Sequence, residues 1–142
     1  MKKLLIATML LLSSQVFAEA AFDNAYVRDL IPGRNMSAGF FEFTNEGEEE
    51  IVLVGASSSG AASVEMHTHV HEDGMMKMRR MPSLSVAPKE RVVFQPGGNH
   101  LMLFDCDPAA FAAGQVELVL TDAQGKEYRV KAEVRSPHKM HH

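Results

Sequence analysis

Imidazoles and thioethers crowd one stretch of this chain. Four of the seven histidines lie between Val64 and Cys106, and the other three lie in the last five residues. With Met1 and Met9 set aside as part of an expected leader, six of the remaining eight methionines (Met66, Met75, Met76, Met78, Met81 and Met102) share that window. Two short segments carry the chemistry: Met66-His67-Thr68-His69-Val70-His71-Glu72-Asp73-Gly74-Met75-Met76-Lys77-Met78, and His100-Leu101-Met102. Neutral, polarisable nitrogen and sulfur donors together select Cu(I) over harder ions. Methionine needs no deprotonation to ligate, and histidine needs only a neutral ring. A calcium or magnesium site would call for carboxylates, and a zinc site or redox dithiol for paired thiolates; the chain has one cysteine. Methionine is also a flexible filler of irregular cores, so a single Met beside a His is more often packing than ligation. The co-occurrence of both donors in two separate segments is what points to a metal.

Strand geometry says how such donors meet. Side chains alternate faces along a strand, so His100 and Met102 project together while Leu101 and Leu103 point into a core. The same parity sets Met76 and Met78 on one face and Met75 on the other. Asp73-Gly74 is a strong hairpin signal between His71 and Met75, and the turn brings His67, His69 or His71 back beside the methionines. Two hairpin arms and one neighbouring strand thereby present two imidazoles and two thioethers to one surface.

The rest of the mature chain reads as short strands punctuated by turns. Strands are predicted over Phe22–Arg28, Met36–Asn45 (with Phe41 and Phe43 on one face), Leu84–Val86, Arg91–Phe94, Gln115–Thr121 and Lys126–Val134. The continuous apolar run Ile51–Ala56 is expected to be a strand buried on both faces, and Ser57–Ala62 a flexible connection. Pro96-Gly97-Gly98-Asn99 is a tight turn that delivers His100, and Asp107–Phe111 has room for one helical turn. Many evenly spaced strands without a sustained helical period argue for an all-β sandwich.

The whole-chain balance narrows the setting. Lys2 and Lys3, the apolar run Leu4–Leu12 and the sequence ending in Ala18 read as an export signal over residues 1–18. That run is too short to span a bilayer as a helix. Residues 19–135 then form one domain and residues 136–142 a His- and Met-rich tail. Loss of the leader removes two lysines and no acid, carrying the formal charge from −4 to −6. An acidic chain with no basic cluster is a poor partner for nucleic acid. Cys106, far from the leader, does not suit lipid attachment and cannot form an internal disulfide; a buried, inert thiol is expected. These features describe a soluble protein exported to the periplasm of a Gram-negative bacterium, with no membrane insertion of the mature chain.

The pattern of His67, ten residues, Met78, twenty-one residues, His100, one residue and Met102 resembles the copper-binding motif of the PCu(A)C family of periplasmic copper chaperones. The surrounding Glu65-Met66-His67, Glu72-Asp73-Gly74 and Pro96-Gly97-Gly98-Asn99-His100-Leu101-Met102-Leu103 are similar as well, and the resemblance runs from about Tyr26 to Val134. It implies a cupredoxin-like, Greek-key β-sandwich holding one Cu(I) through His67, Met78, His100 and Met102. It also implies delivery toward the dinuclear copper site of cytochrome c oxidase, with a Sco-type protein or the copper-receiving oxidase subunit as partner. Where family members often place methionines after the first His, this chain has His69 and His71. Those two, with His138, Met140, His141 and His142 of the tail, make an auxiliary set suited to Cu(II), since His-rich tracts bind metal by composition.

Three rival functions meet chemical objections. A blue-copper electron carrier needs a Cys thiolate with two His, and Cys106 has no histidine nearby in sequence. A copper oxygenase using an amino-terminal histidine does not fit a mature chain that starts near Glu19. A zinc enzyme built on His67, His69 and His71 with Glu72 as base would need alternating side chains of one strand to converge on one ion. A copper or zinc storage or resistance protein shares the donor set of a carrier and stands as the alternative. The reading is therefore a copper carrier and not an enzyme.

Overall fold

A computed structural model describes residues 19–136. The expected leader, residues 1–18, and His138, Met140, His141 and His142 of the tail lie outside the described residues. Ten strands and one short helix follow in order: β1 (Ala20–Arg28), β2 (Ser37–Asn45), β3 (Ile51–Ser58), β4 (Ala61–Glu72), β5 (Met75–Arg80), β6 (Leu84–Val86), β7 (Arg91–Phe94), β8 (His100–Cys106), α1 (Pro108–Ala112), β9 (Gln115–Asp122) and β10 (Glu127–Arg135). The aromatic and β-branched runs became strands, as their fit to a pleated, half-buried surface requires.

The strands close on themselves. Hydrogen bonding runs in the order β5-β4-β8-β2-β1-β10-β9-β3-β6, and β3 pairs again with β4 at Ala56 and Val64. Seven strands, β4 through β3, thus form a barrel-like sandwich, with β1 and β10 joined in parallel and β5, β6 and β7 pairing outside the ring, on β4, β3 and β2. Closure removes the open edges that a sheet of this width would otherwise present. Inside lie Val27, Phe41, Phe43, Leu53, Leu101, Leu103, Leu118 and Leu120, all but excluded from solvent. Each such side chain contributes about 1.5–3 kcal/mol on burial. Phe41 stacks on Phe94 of β7 with ring centroids 4.5 Å apart.

Two sequence expectations need correction. β3 is not buried on both faces: Ile51 and Leu53 are inside, but Val54 is 44% exposed. A continuous apolar run carries no period, so parity is lost in it. Ser57–Ala62 is not a flexible connection either, because β3 extends to Ser58 and β4 starts at Ala61. Gly60 makes this tight turn possible: a Cβ there would stand 2.7 Å from Cγ1 of Val116 and 3.2 Å from the Phe111 ring. α1 is the expected helical turn, opened by Asp107, whose side chain accepts from the Ala109 amide at 3.0 Å, with Pro108 in the first position.

Candidate metal centre

The β4–β5 hairpin turns at Asp73 and Gly74, both with left-handed backbone (φ 52° and 75°). Two such residues in succession make the tight turn whose twist matches paired strands. It fixes the register as Glu72 opposite Met75, His71 opposite Met76, His69 opposite Met78 and His67 opposite Arg80. On its other side β4 pairs with β8, setting His67 opposite His100, Glu65 opposite Met102 and Met66 opposite Leu101. Residues directly opposite share a face. Glu65, His67, His69 and His71 therefore line one face with Met76, Met78, His100 and Met102, while Val64, Met66, Leu101 and Leu103 turn into the core.

Within that face, His67 and His100 form a direct cross-strand pair, their ring centroids 5.6 Å apart. Met78 and Met102 occupy the two diagonals about His67, one on each neighbouring strand. Diagonal neighbours are within reach of long side chains. His69 also joins the group, its ring 5.3 Å from that of His100. His71 is exposed, near the hairpin end. Sequence parity put His100 on a surface, yet it is only 4% exposed. The Pro96–Asn99 turn folds against it, held by the Gln95 amide on the Asn99 carbonyl and the Gly98 amide on the Gln95 carbonyl, each at 2.9 Å.

The hydrogen bonds settle which ring nitrogens carry protons. A carbonyl oxygen only accepts, so His100 donates from Nδ1 to the Gly98 carbonyl at 3.1 Å, and His69 donates from Nδ1 to the same oxygen at 3.3 Å. His67 donates from Nε2 to Oε1 of Glu65 at 3.1 Å. What remains is His67 Nδ1 and His100 Nε2, both buried and both without a partner. A buried polar atom left unsatisfied costs about 1–3 kcal/mol, so two in one cluster of soft donors make this the candidate place for an ion. Burial, the largest influence, pushes the His100 imidazole below its usual 6.5; the Gly98 hydrogen bond opposes this, and His67, His69 and Arg28 add to it. The ring is thereby kept in the neutral form that ligation needs.

Among the described residues no three His, Cys, Asp or Glu side chains are grouped to hold one ion. His67, His69 and His71 share a face, with His71 exposed at the hairpin end and His67 hydrogen-bonded to Glu65. Cys106 lies in the core, donating weakly to the Leu103 carbonyl at 3.6 Å, and burial followed by the Asp105 charge pushes its thiol up. It is not available to a metal on the opposite face.

Three features near the donors were not singled out from the sequence. Glu65 stands two residues before His67, a parity that was readable. The Gly98 carbonyl is a backbone group that no residue type announces. Met36, half exposed, lines a surface depression of about 440 Å³ together with Met102, Arg28 and Arg34. It lies outside the crowded window, so clustering along the chain could not reveal it.

Comparison with known proteins places this architecture. A family described as "Putative lipoprotein LpqE-like" matches residues 20–134. A protein of Leifsonia xyli subsp. xyli named "Putative lipoprotein Lxx21020" is 28% identical over 104 residues, covering 72% of this chain. The match spans only 63% of that relative's length. The solution structure of CuI-DR1885 from Deinococcus radiodurans superposes with a TM-score of 0.65 at 26% identity, covering 86% of this chain and 81% of that one. The copper-bound PCuAC domain from PmoF2 gives a TM-score of 0.67 at 21% identity, covering 84% and 95%, a likeness of fold. The β-sandwich is the cupredoxin-like one of these PCuAC domains. With the match running from the first residue of β1 through every strand to all but the last residue of β10, the chain belongs to the LpqE-like family, which is related to PCuAC.

Proposed function

We propose that this protein is an exported copper carrier that holds one Cu(I) through His67, Met78, His100 and Met102 and passes it toward the copper site of cytochrome c oxidase. Copper is its cargo and no reaction is catalysed. The observation that carries the reading is the pair of buried, unpartnered nitrogens on directly opposed histidines, His67 Nδ1 and His100 Nε2. Two thioethers on the flanking strands supply the soft donors that favour the reduced ion. The likeness to CuI-DR1885 and to a copper-bound PCuAC domain supports the same cargo. Release fits the donor set, because an incoming ligand can replace one neutral thioether at a time. A Sco-type protein or the copper-receiving oxidase subunit is the proposed acceptor, and the periplasm the proposed compartment.

The closeness of His69 to His100 favours a second, nitrogen-rich mode on the same face. Imidazoles suit Cu(II) better than thioethers do, and His71 and the tail histidines extend that set. Native mass spectrometry of the mature chain, titrated separately with Cu(I), Cu(II) and Zn(II), tests both modes. One Cu(I) per chain is expected, lost when Met78 and Met102 are both replaced by Leu, a change that nearly conserves volume. A double variant that holds Cu(I) as tightly as the parent removes the assigned site.

A further inference from the structure

The two opposed histidines are held by different groups, and one of these is a charged side chain with no other evident task. Glu65 stands on β4 opposite Met102 of β8, on the face that carries the donors. Its Oε1 accepts a hydrogen bond from His67 Nε2–H at 3.1 Å, and its Oε2 lies 3.9 Å from Nε of Arg80, the residue opposite His67 on β5. The carboxylate therefore sits between the ring it holds and the hairpin strand that carries Met78. It is itself about one-third exposed, whereas His67 is largely buried. A surface ion pair at such a site contributes little to stability, so folding alone does not account for it.

We propose that Glu65 is a positioning residue for the copper cargo: by accepting a hydrogen bond from His67 Nε2–H it keeps the proton on Nε2 and leaves Nδ1 as the ligating nitrogen, while the Gly98 carbonyl, accepting from Nδ1–H of His100, leaves Nε2 as the ligating nitrogen of that ring. The two rings are thus locked in opposite tautomers. Each keeps one bare nitrogen, buried and unpartnered. A carboxylate behind a metal-bound imidazole also raises its basicity and fixes its rotation. As a hard oxygen donor, Glu65 is not itself a Cu(I) ligand. Arg80 stands near the second oxygen as a loose ion pair from the hairpin side. The proposal rests on the Cu(I) reading above and adds to it the atom of each ring that binds.

The test uses the mature chain at pH 8, where ordinary imidazoles are neutral. Nitrogen-15 NMR of the apo parent is expected to show His67 protonated at Nε2 and His100 at Nδ1. Addition of Cu(I) then shifts His67 Nδ1 and His100 Nε2. Glu65→Ala is expected to weaken Cu(I) binding by about 10–100-fold, the range for loss of such a supporting partner, with its unfolding midpoint close to that of the parent. Glu65→Gln, whose amide oxygen still accepts the proton, restores most of the affinity. Apo His67 protonated at Nδ1, a copper-induced shift at Nε2 of His67, parent-like affinity in Glu65→Ala, or Glu65→Gln as weak as Glu65→Ala would each overturn the proposal. A parent that takes up no Cu(I) overturns the carrier reading instead, and the apo spectrum still decides the tautomers.

Discussion

The donors of the candidate site stand on two kinds of ground. His100 and Met102 belong to β8, which is hydrogen-bonded to β4 on one side and to β2 on the other and is packed from beneath by Leu101 and Leu103. Met78 belongs to β5, which has β4 as its one neighbour and exposes Met75, Met76 and Met78 to solvent. One half of the face is part of the barrel wall. The other is a hairpin arm outside it. Wall residues inherit their positions from the core, whereas the arm depends on one ladder and a two-residue turn. A carrier needs both properties, since a site held rigidly on every side would retain its ion and a site held on none would not select it. His67 joins the halves, because its strand pairs with both.

The largest effect that tests this division lies beneath the wall. Leu101 is fully buried between His100 and Met102 in sequence. Leu101→Ala should cost about 2–5 kcal/mol of stability, the range for a buried leucine truncated to alanine, read as a shift in the urea midpoint. Copper affinity should fall with it, because the residues on either side lose their support. A variant as stable as the parent would show that β8 is not the anchor.

A smaller difference separates the two thioethers. Met102 is half-buried on the wall, and Met78 is 44% exposed on the arm. The less mobile donor loses less entropy on binding. Met102→Leu should therefore weaken Cu(I) binding by about tenfold, or about 1.4 kcal/mol, and Met78→Leu by about threefold, each measured by competition with a Cu(I) chelator. A reversed order would make the arm the anchor and the wall the exchangeable side. Peroxide mapping gives a companion reading. Met75, Met76 and Met78 should form sulfoxide before Met66, which is buried in the core, and bound Cu(I) should slow the reaction at Met78 and leave Met75 unprotected.

Much of this arrangement was legible in the chain because it depends on local rules. Asp73-Gly74 announces a tight hairpin that returns His67, His69 or His71 beside the methionines, and the observed register picks out His69 as the one opposite Met78. The alternation His100-Leu101-Met102-Leu103 announced which side chains enter the core. The run Ile51–Ala56 departs from its expected burial on both faces because uninterrupted apolar residues conceal which face is wet, and only the packing of β3 against β9 and β6 decides it. Closure of the ring was out of reach, since the parallel β1–β10 pairing joins residues about a hundred positions apart. Burial of His100 followed from that closure and from the Gly98 turn, neither of which leaves a mark on residue type.

The smallest expected effect is on pH dependence, and its sign follows from the burial of His100. The folded chain holds this imidazole below its usual 6.5, burial being the main cause, while the unfolded chain takes up a proton at about 6.5. The unfolded state thus binds more protons between that value and the lowered folded one, and stability falls as pH falls through this window. Above it both states are neutral at His100, and the contribution is fully present. His67 and His69 from β4, and Arg28 from β1, face the ring and oppose its protonation, while the Gly98 carbonyl favours it. Urea midpoints of the apo protein at pH 8.0, 6.5 and 5.5 (trial values spanning the reference pKa of about 6.5) should therefore decline, and His100→Gln should flatten part of the decline. An equal slope in the two proteins would assign the pH dependence to other groups and would mean that the wall tolerates a charged His100. The contrast between a dry, neutral wall and a wet arm would then have to be redrawn, with selectivity for the reduced ion carried by the thioethers alone.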